Sequence, residues 1–185
     1  MNLKWTLLII AGLAGAGGGW LFTETVLRNG TPEPLQAATI SSPADLLGTS
    51  RPDFSLGTTT GEVLTAADLD GNVVLINFWA TWCKPCRAEM PMLARVHEEL
   101  NGRGFEVLGV AMDDVQQATD FLDELGITYR NAVGTVDVMA MSSVYGNRAG
   151  MLPYSVLLDR DGIVRWTELG EVEEHELREQ IRPLL

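Results

Sequence analysis

The only two cysteines of the chain lie three apart, in Cys83-Lys84-Pro85-Cys86, directly after the apolar run Val73-Val74-Leu75-Ile76-Asn77-Phe78-Trp79-Ala80. The run reads as a buried strand, and the Arg, Ala, Glu, Met and Leu that follow the cysteines suit a helix. The pair is therefore predicted where a strand hands over to a helix N-terminus. Unpaired N–H groups and the positive end of the helix dipole favour an anion there, so one cysteine is expected to ionise readily. A thiolate beside a second thiol is a disulfide-exchange centre. A structural staple is the competing reading, but a staple gains most by closing a long loop, and this pair closes almost none.

The chain has 185 residues, 46% of them hydrophobic, enough for one globular domain with a proper core plus an extra segment. Its net charge is -12, and the two lysines and eleven arginines are scattered among 25 acids. That surface argues against nucleic acid, which needs clustered cations. Residues 5–22 carry no charge and follow Lys4. As a helix they would extend ~27 Å, close to the roughly 30 Å core of a bilayer. An N-terminal membrane anchor and a cleaved signal both fit residues 1–28, the latter through the small-residue site at Ala14-Gly15-Ala16. Either reading exports the domain. Residues 29–50 turn to Thr, Pro, Ala, Ser and Gly and read as a flexible linker, so order is expected from about Arg51, over residues 51–185.

The domain then alternates. A small hairpin around Phe54 and Val63, turning at Thr60-Gly61, leads into the strand over residues 73–79 and a helix over 84–100. Strand 105–112, helix 115–125, a short strand near 130–133 and helix 136–145 follow. Strands 154–158 and 163–168 should form a hairpin whose Asp159-Arg160-Asp161-Gly162 carries a two-residue turn signal. A helix over 173–184 closes the chain. The order implies an α/β sandwich, parallel at the centre of the sheet and antiparallel at one edge.

Cys83, at the helix start, is the expected attacking sulfur, and Cys86, one turn inward, should resolve the mixed disulfide. Lys84 adds a cation that favours thiolate. Pro85 fits the first helical turn, where its missing N–H costs nothing. Glu89 lies one turn after Cys86 and can share its face, placed to take the Cys86 proton or, more simply, to meet the helix dipole. Trp82 borders Cys83 and is expected on a docking surface. His97 and His175 stand at no metal-ligand spacing from a cysteine and read as surface residues.

The segment Asn77-Phe78-Trp79-Ala80-Thr81-Trp82-Cys83-Lys84-Pro85-Cys86-Arg87-Ala88-Glu89-Met90-Pro91 resembles the active-site region of the TlpA/ResA group of membrane-anchored thioredoxin-like proteins. Gly150-Met151-Leu152-Pro153-Tyr154-Ser155-Val156-Leu157-Leu158-Asp159-Arg160-Asp161-Gly162 resembles the group's second landmark, a proline loop leading into a strand and hairpin. The resemblance implies a thioredoxin fold, a mixed central sheet flanked by helices, with the N-terminal hairpin and a strand-helix insertion over residues 105–126. It also implies that Pro153 is cis and lies beside Cys83, with the Leu152 backbone pairing to an incoming peptide. Classical thioredoxins carry a buried aspartate where this chain has Asn77, which passes the proton duty to Glu89. Tyr154-Ser155 replaces a smaller pair and puts the width of the groove in question.

The resemblance further implies an exported thiol:disulfide oxidoreductase with no cofactor beyond the redox-active Cys83–Cys86 disulfide. It would reduce partner proteins in cytochrome c or other metalloprotein assembly, at the periplasmic or extracytoplasmic face, with electrons from a membrane thiol carrier. Two rivals stand beside it. One is a Cu(I) or haem-assembly module that binds through the two thiolates without turnover. The other is a peroxiredoxin-like peroxidase, suggested by Pro52-Asp53-Phe54 but in need of a lone peroxidatic cysteine.

Overall fold

The computed structural model describes residues 42–185, and the apolar run of the sequence is its central strand. In chain order the strands are β1 (Ser55–Gly57), β2 (Val63–Thr65), β3 (Val73–Trp79), β4 (Phe105–Met112), β5 (Asn131–Gly134), β6 (Tyr154–Leu158) and β7 (Val164–Leu169). The helices are α1 (Lys84–Leu100), α2 (Val115–Leu125), α3 (Val136–Val144) and α4 (Glu174–Ile181). Strands β1 and β2 form the expected antiparallel hairpin. The other five make one sheet in the order β5-β4-β3-β6-β7, with β5, β4 and β3 parallel and β6 and β7 antiparallel. This is the mixed sandwich expected of a thioredoxin fold, and residues 105–126 supply β4 and α2 between the active-site helix and Pro153.

All of β3 is buried because both faces of the sheet are covered. Its even residues Val74, Ile76 and Phe78 meet α3, the hairpin and Leu46. Its odd residues Val73 and Leu75 meet α1 and α4, while Trp79 meets α1 and α2. Phe78 and Trp79 thus point to opposite faces, as expected. Next to β3, Gly109 leaves room for Asn131, whose Oδ1 accepts from Trp79 Nε1 at 3.0 Å; a Cβ on Gly109 would collide with that amide.

Three expectations need correction. Order does not begin at Arg51, because a turn of 3-10 helix at Pro43–Leu46 seats Leu46 fully in the core. Gly48 and Thr49 then bond to Val164 in β7. The apolar leucines of this segment outweigh its linker-like composition; residues 1–41, with the anchor or signal reading, lie outside the described residues. The β6–β7 connection is not a two-residue turn. Asp159 pairs with Ile163 across it, Gly162 takes φ 74°, and Asp159 Oδ1 accepts from both Asp161 and Ile163. A three-residue loop with glycine in the left-handed position is the result. The last helix is also shorter than expected, ending at Ile181.

Candidate active site

Helix α1 begins where Cys83 leaves the extended conformation. Cys83 is its N-cap, with φ -83° and ψ 104°, Lys84 and Pro85 occupy the first turn, and the Cys86 N–H points at Cys83 Sγ at 3.3 Å. The two sulfurs form a disulfide of 2.02 Å. Cys83 keeps 5% of its surface in solvent and Cys86 none, so only the outer sulfur can be approached. Trp82, 68% exposed, stands beside it, and Lys84 and Pro85 are exposed. The loop that carries them is tied down by Asp113 at the end of β4, whose Oδ2 accepts from the Thr81 N–H at 2.8 Å and from Thr81 Oγ1 at 2.7 Å.

One turn further along α1 from Cys86 stands Glu89, only 2% exposed. It is past the first turn of α1, so it belongs to the interior rather than to the helix dipole. Its Oε1 accepts from Asn77 Nδ2 at 2.8 Å and its Oε2 from the Val172 N–H at 2.7 Å. Burial pushes its carboxyl up to about 7, against the lowering effect of those two hydrogen bonds. Asn77 Nδ2 also reaches Ser155 Oγ at 3.0 Å, while Asn77 Oδ1 is buried and meets no hydrogen-bond donor. The buried hydroxyl of Tyr129 also has no partner; desolvation raises its pKa, and the Glu89 charge raises it further.

The Leu152–Pro153 bond is cis. Leu152 packs against the cluster that holds Cys83 and Cys86, and its backbone N–H and C=O are engaged by no other group among the described residues. Asn147, buried, shapes the approach to this bond: its Nδ2 donates to the Met151 carbonyl at 2.8 Å and its Oδ1 accepts from the Met151 N–H at 3.1 Å. Tyr154 turns to the opposite face of the sheet, where its hydroxyl donates to the Tyr145 carbonyl at 2.8 Å, and Ser155 turns to Asn77. The Pro153 carbonyl accepts from Gly170 N–H at 2.9 Å, two residues before the N–H that holds Glu89.

The fold therefore gathers Cys83, Cys86, Glu89, Trp82, Leu152 and Pro153 at one end of the sheet, with Lys84 and Pro85 on its rim. Asp113, the pairing of Ser155 with Asn77, and the Val172 N–H were missed. Register could have indicated Ser155, which lies opposite Asn77 on β6. A backbone N–H such as that of Val172 leaves no trace in a sequence. His97 is not a plain surface residue: it is half-buried, and its Nδ1 accepts from the Val107 N–H at 3.1 Å. Burial lowers its pKa. His175 is exposed as expected.

Comparison with known proteins agrees with this arrangement. The sequence model described as the AhpC/TSA family matches residues 47–167. The thiol-disulfide oxidoreductase ResA of Bacillus thuringiensis (strain Al Hakam) is 30% identical over 139 residues, covering 75% of this chain and 78% of that protein. The thiol:disulfide interchange protein DsbE of Pseudomonas aeruginosa is 35% identical over 147 residues, 77% of either chain. Among solved structures, a secreted thiol-disulfide isomerase from Corynebacterium glutamicum superposes with a TM-score of 0.66 at 29% identity, over 72% of this chain and 83% of that one. A thioredoxin-family thiol:disulfide interchange protein from Chlorobium tepidum TLS also gives 0.66, at 27% identity over 74% and 96%.

Proposed function

The chain belongs to the AhpC/TSA family and is a thiol:disulfide oxidoreductase, and from that premise we propose that it works as a reductase of disulfides in exported partner proteins. The observation that carries the reading is the cysteine pair at the start of α1, one helical turn before a buried acid whose proton affinity lies near neutrality.

In the reduced protein the Cys86 N–H and the helix N-terminus favour the Cys83 thiolate. The exposed Lys84 adds a cation near it. Cys83 attacks a sulfur of the partner: the Cys83–partner bond forms, the partner's disulfide breaks, and the released partner thiolate takes a proton. Cys86 then gives its proton to Glu89 and attacks Cys83 Sγ. The Cys83–Cys86 disulfide forms and the second partner thiol leaves, so two electrons have passed from the chain to the partner. A thiol carrier restores the dithiol by the reverse exchange. Trp82 and the unengaged Leu152 backbone, set by cis Pro153, offer the partner an apolar contact and a strand-like edge.

The direction of transfer, the place at an extracytoplasmic membrane face and a duty in cytochrome c or metalloprotein assembly follow from the resemblance and from the uncharged residues 5–22. Those residues lie outside the described part; among the described residues no helix is long and apolar enough to cross a membrane. The test is to express Cys86→Ala in cells and identify the mixed disulfides it traps, with insulin reduction assayed alongside. Captured exported proteins, and reductase activity lost in Cys83→Ser, are expected. Activity surviving in Cys83→Ser would refute the scheme.

A further inference from the structure

Asn77 occupies an unusual position for an amide. It is fully buried in the middle of β3, both short contacts of its side chain are made by Nδ2, to Glu89 Oε1 and Ser155 Oγ, and its Oδ1 has no partner. We propose that Asn77 is a positioning residue for the proton step, presenting its amide nitrogen to Glu89 as a carboxylate and turning its amide oxygen to Glu89 once that group holds a proton. The proposal rests on the reading of Glu89 as the base that serves Cys86.

The argument is one of donors and acceptors. A carboxylate only accepts, and here both its oxygens face donors, Asn77 Nδ2 and the Val172 N–H. A protonated Glu89 must donate, and the two groups its oxygens now meet are donors that cannot receive its O–H. Rotating the Asn77 amide by half a turn brings Oδ1 to the same place. It can then accept from Glu89 and from the Ser155 hydroxyl together, since a carbonyl oxygen has two lone pairs and a hydroxyl can donate or accept. The far side of the amide lacks a partner in either orientation, so the contacts to Glu89 and Ser155 decide between them. An aspartate at this position could present no N–H to the carboxylate, and a leucine could serve neither state.

The groups facing Glu89 do not offer a cation that would override this choice. Cys86 lies one turn earlier on α1, Asn77 on β3 and Ser155 on β6, while Gly109 on β4 contributes no side chain. The segment after β7 supplies the Val172 N–H and the charge of Glu171, which adds to the raised proton affinity. Glu168 stands opposite Ser155 on β7, and Tyr129 supplies a hydroxyl whose own ionisation feels Glu89. None of the hydrogen-bond partners of Glu89 is charged.

The test is an NMR titration of the oxidised full-length protein that follows the Glu89 carboxyl carbon and the Asn77 side-chain amide, with Asn77→Leu as the variant. The Asn77 signals are expected to move with the same midpoint as Glu89. In Asn77→Leu both forms lose a partner, but the charge-assisted bond to the carboxylate is the stronger. The Glu89 midpoint, and with it the midpoint of the pH profile for resolving the mixed disulfide, should therefore rise, by up to about one pH unit, a tenfold gain in proton affinity. Asn77 signals that stay flat while Glu89 titrates near neutrality would overturn this proposal and leave the role of Glu89 standing. A Glu89 that does not titrate between pH 5 and 9 would overturn both. The wild-type titration decides even if the leucine variant fails to fold, and a merely structural Asn77 would lower stability without moving either midpoint.

Discussion

The two faces of the central sheet are built from alternate residues of the same strands and differ in how they treat polar atoms. On the face under α3, Phe78 packs against Tyr145 and Tyr154 at ring-centroid distances of 6.2 and 6.0 Å, and both tyrosine hydroxyls are satisfied, by the Pro52 and Tyr145 carbonyls at 2.8 Å. On the face under α1, the carboxyl of Glu89 is buried among Asn77, Ser155 and the Val172 N–H, and Asn77 Oδ1 and the Tyr129 hydroxyl have no partner. Buried polar atoms without partners cost free energy. Both faces bury apolar clusters, but the face under α1 gives up some stability to keep a proton acceptor one helical turn from Cys86.

Several substitutions would break or sharpen this contrast. The largest loss is expected from Phe78→Ala, which empties a fully buried site on the apolar face and should cost about 3–5 kcal/mol in denaturant unfolding. The reductase rate per folded molecule should be unchanged. Leu46→Ala should cost about 3 kcal/mol if residues 43–46 belong to that same face; a loss below about 0.5 kcal/mol would return the segment to the linker.

Glu89→Gln should act in the opposite sense, and only at high pH. The folded-state pKa is raised from 4.5 to about 7, so the folded protein holds this proton more tightly than the unfolded chain. The burden of the carboxylate is absent below about pH 4, grows as pH rises toward 7 and is complete above it, reaching roughly 3 kcal/mol at 1.36 kcal/mol per pH unit. Glutamine should therefore stabilise the protein at pH 8 by up to about that amount and change little at pH 4. Equal effects at both values would mean that Glu89 is not the group held at a penalty.

The smallest effects distinguish the two kinds of tyrosine. Tyr145→Phe leaves the Pro52 carbonyl without its donor and should cost about 1 kcal/mol. Tyr129→Phe removes a hydroxyl that bonds to nothing and should be neutral or stabilising, as unfolding curves of the two variants would show.

Much of this contrast was legible beforehand. Strand β3 announced itself through seven residues without a charge, the helix after it through Cys83-Lys84-Pro85-Cys86, and Glu89 through its spacing of one turn from Cys86. The cis bond before Pro153 came from resemblance, since Leu-Pro alone favours trans. What escaped were relations across the sheet. Ser155 meets Asn77 because β6 pairs with β3 in one register, Asp113 meets Thr81 because β4 ends level with the active-site loop, and Val172 acts through its backbone. Leu46 was hidden by the polar composition around it. Local patterns show where a strand or helix starts, but not which distant segment covers it.

The account stands or falls on the proton that Cys86 gives up. The most direct measurement is the pH dependence of mixed-disulfide resolution, followed by rapid mixing of the reduced protein with a chromogenic disulfide, for wild type and Glu89→Gln. Wild type should show a rise centred near pH 7, where Glu89 becomes an acceptor. The variant should lack that rise and quicken only at higher pH, as the buried Cys86 thiol itself ionises. Superimposable profiles for the two proteins would contradict the assignment of Glu89 and with it the division of labour between the two faces.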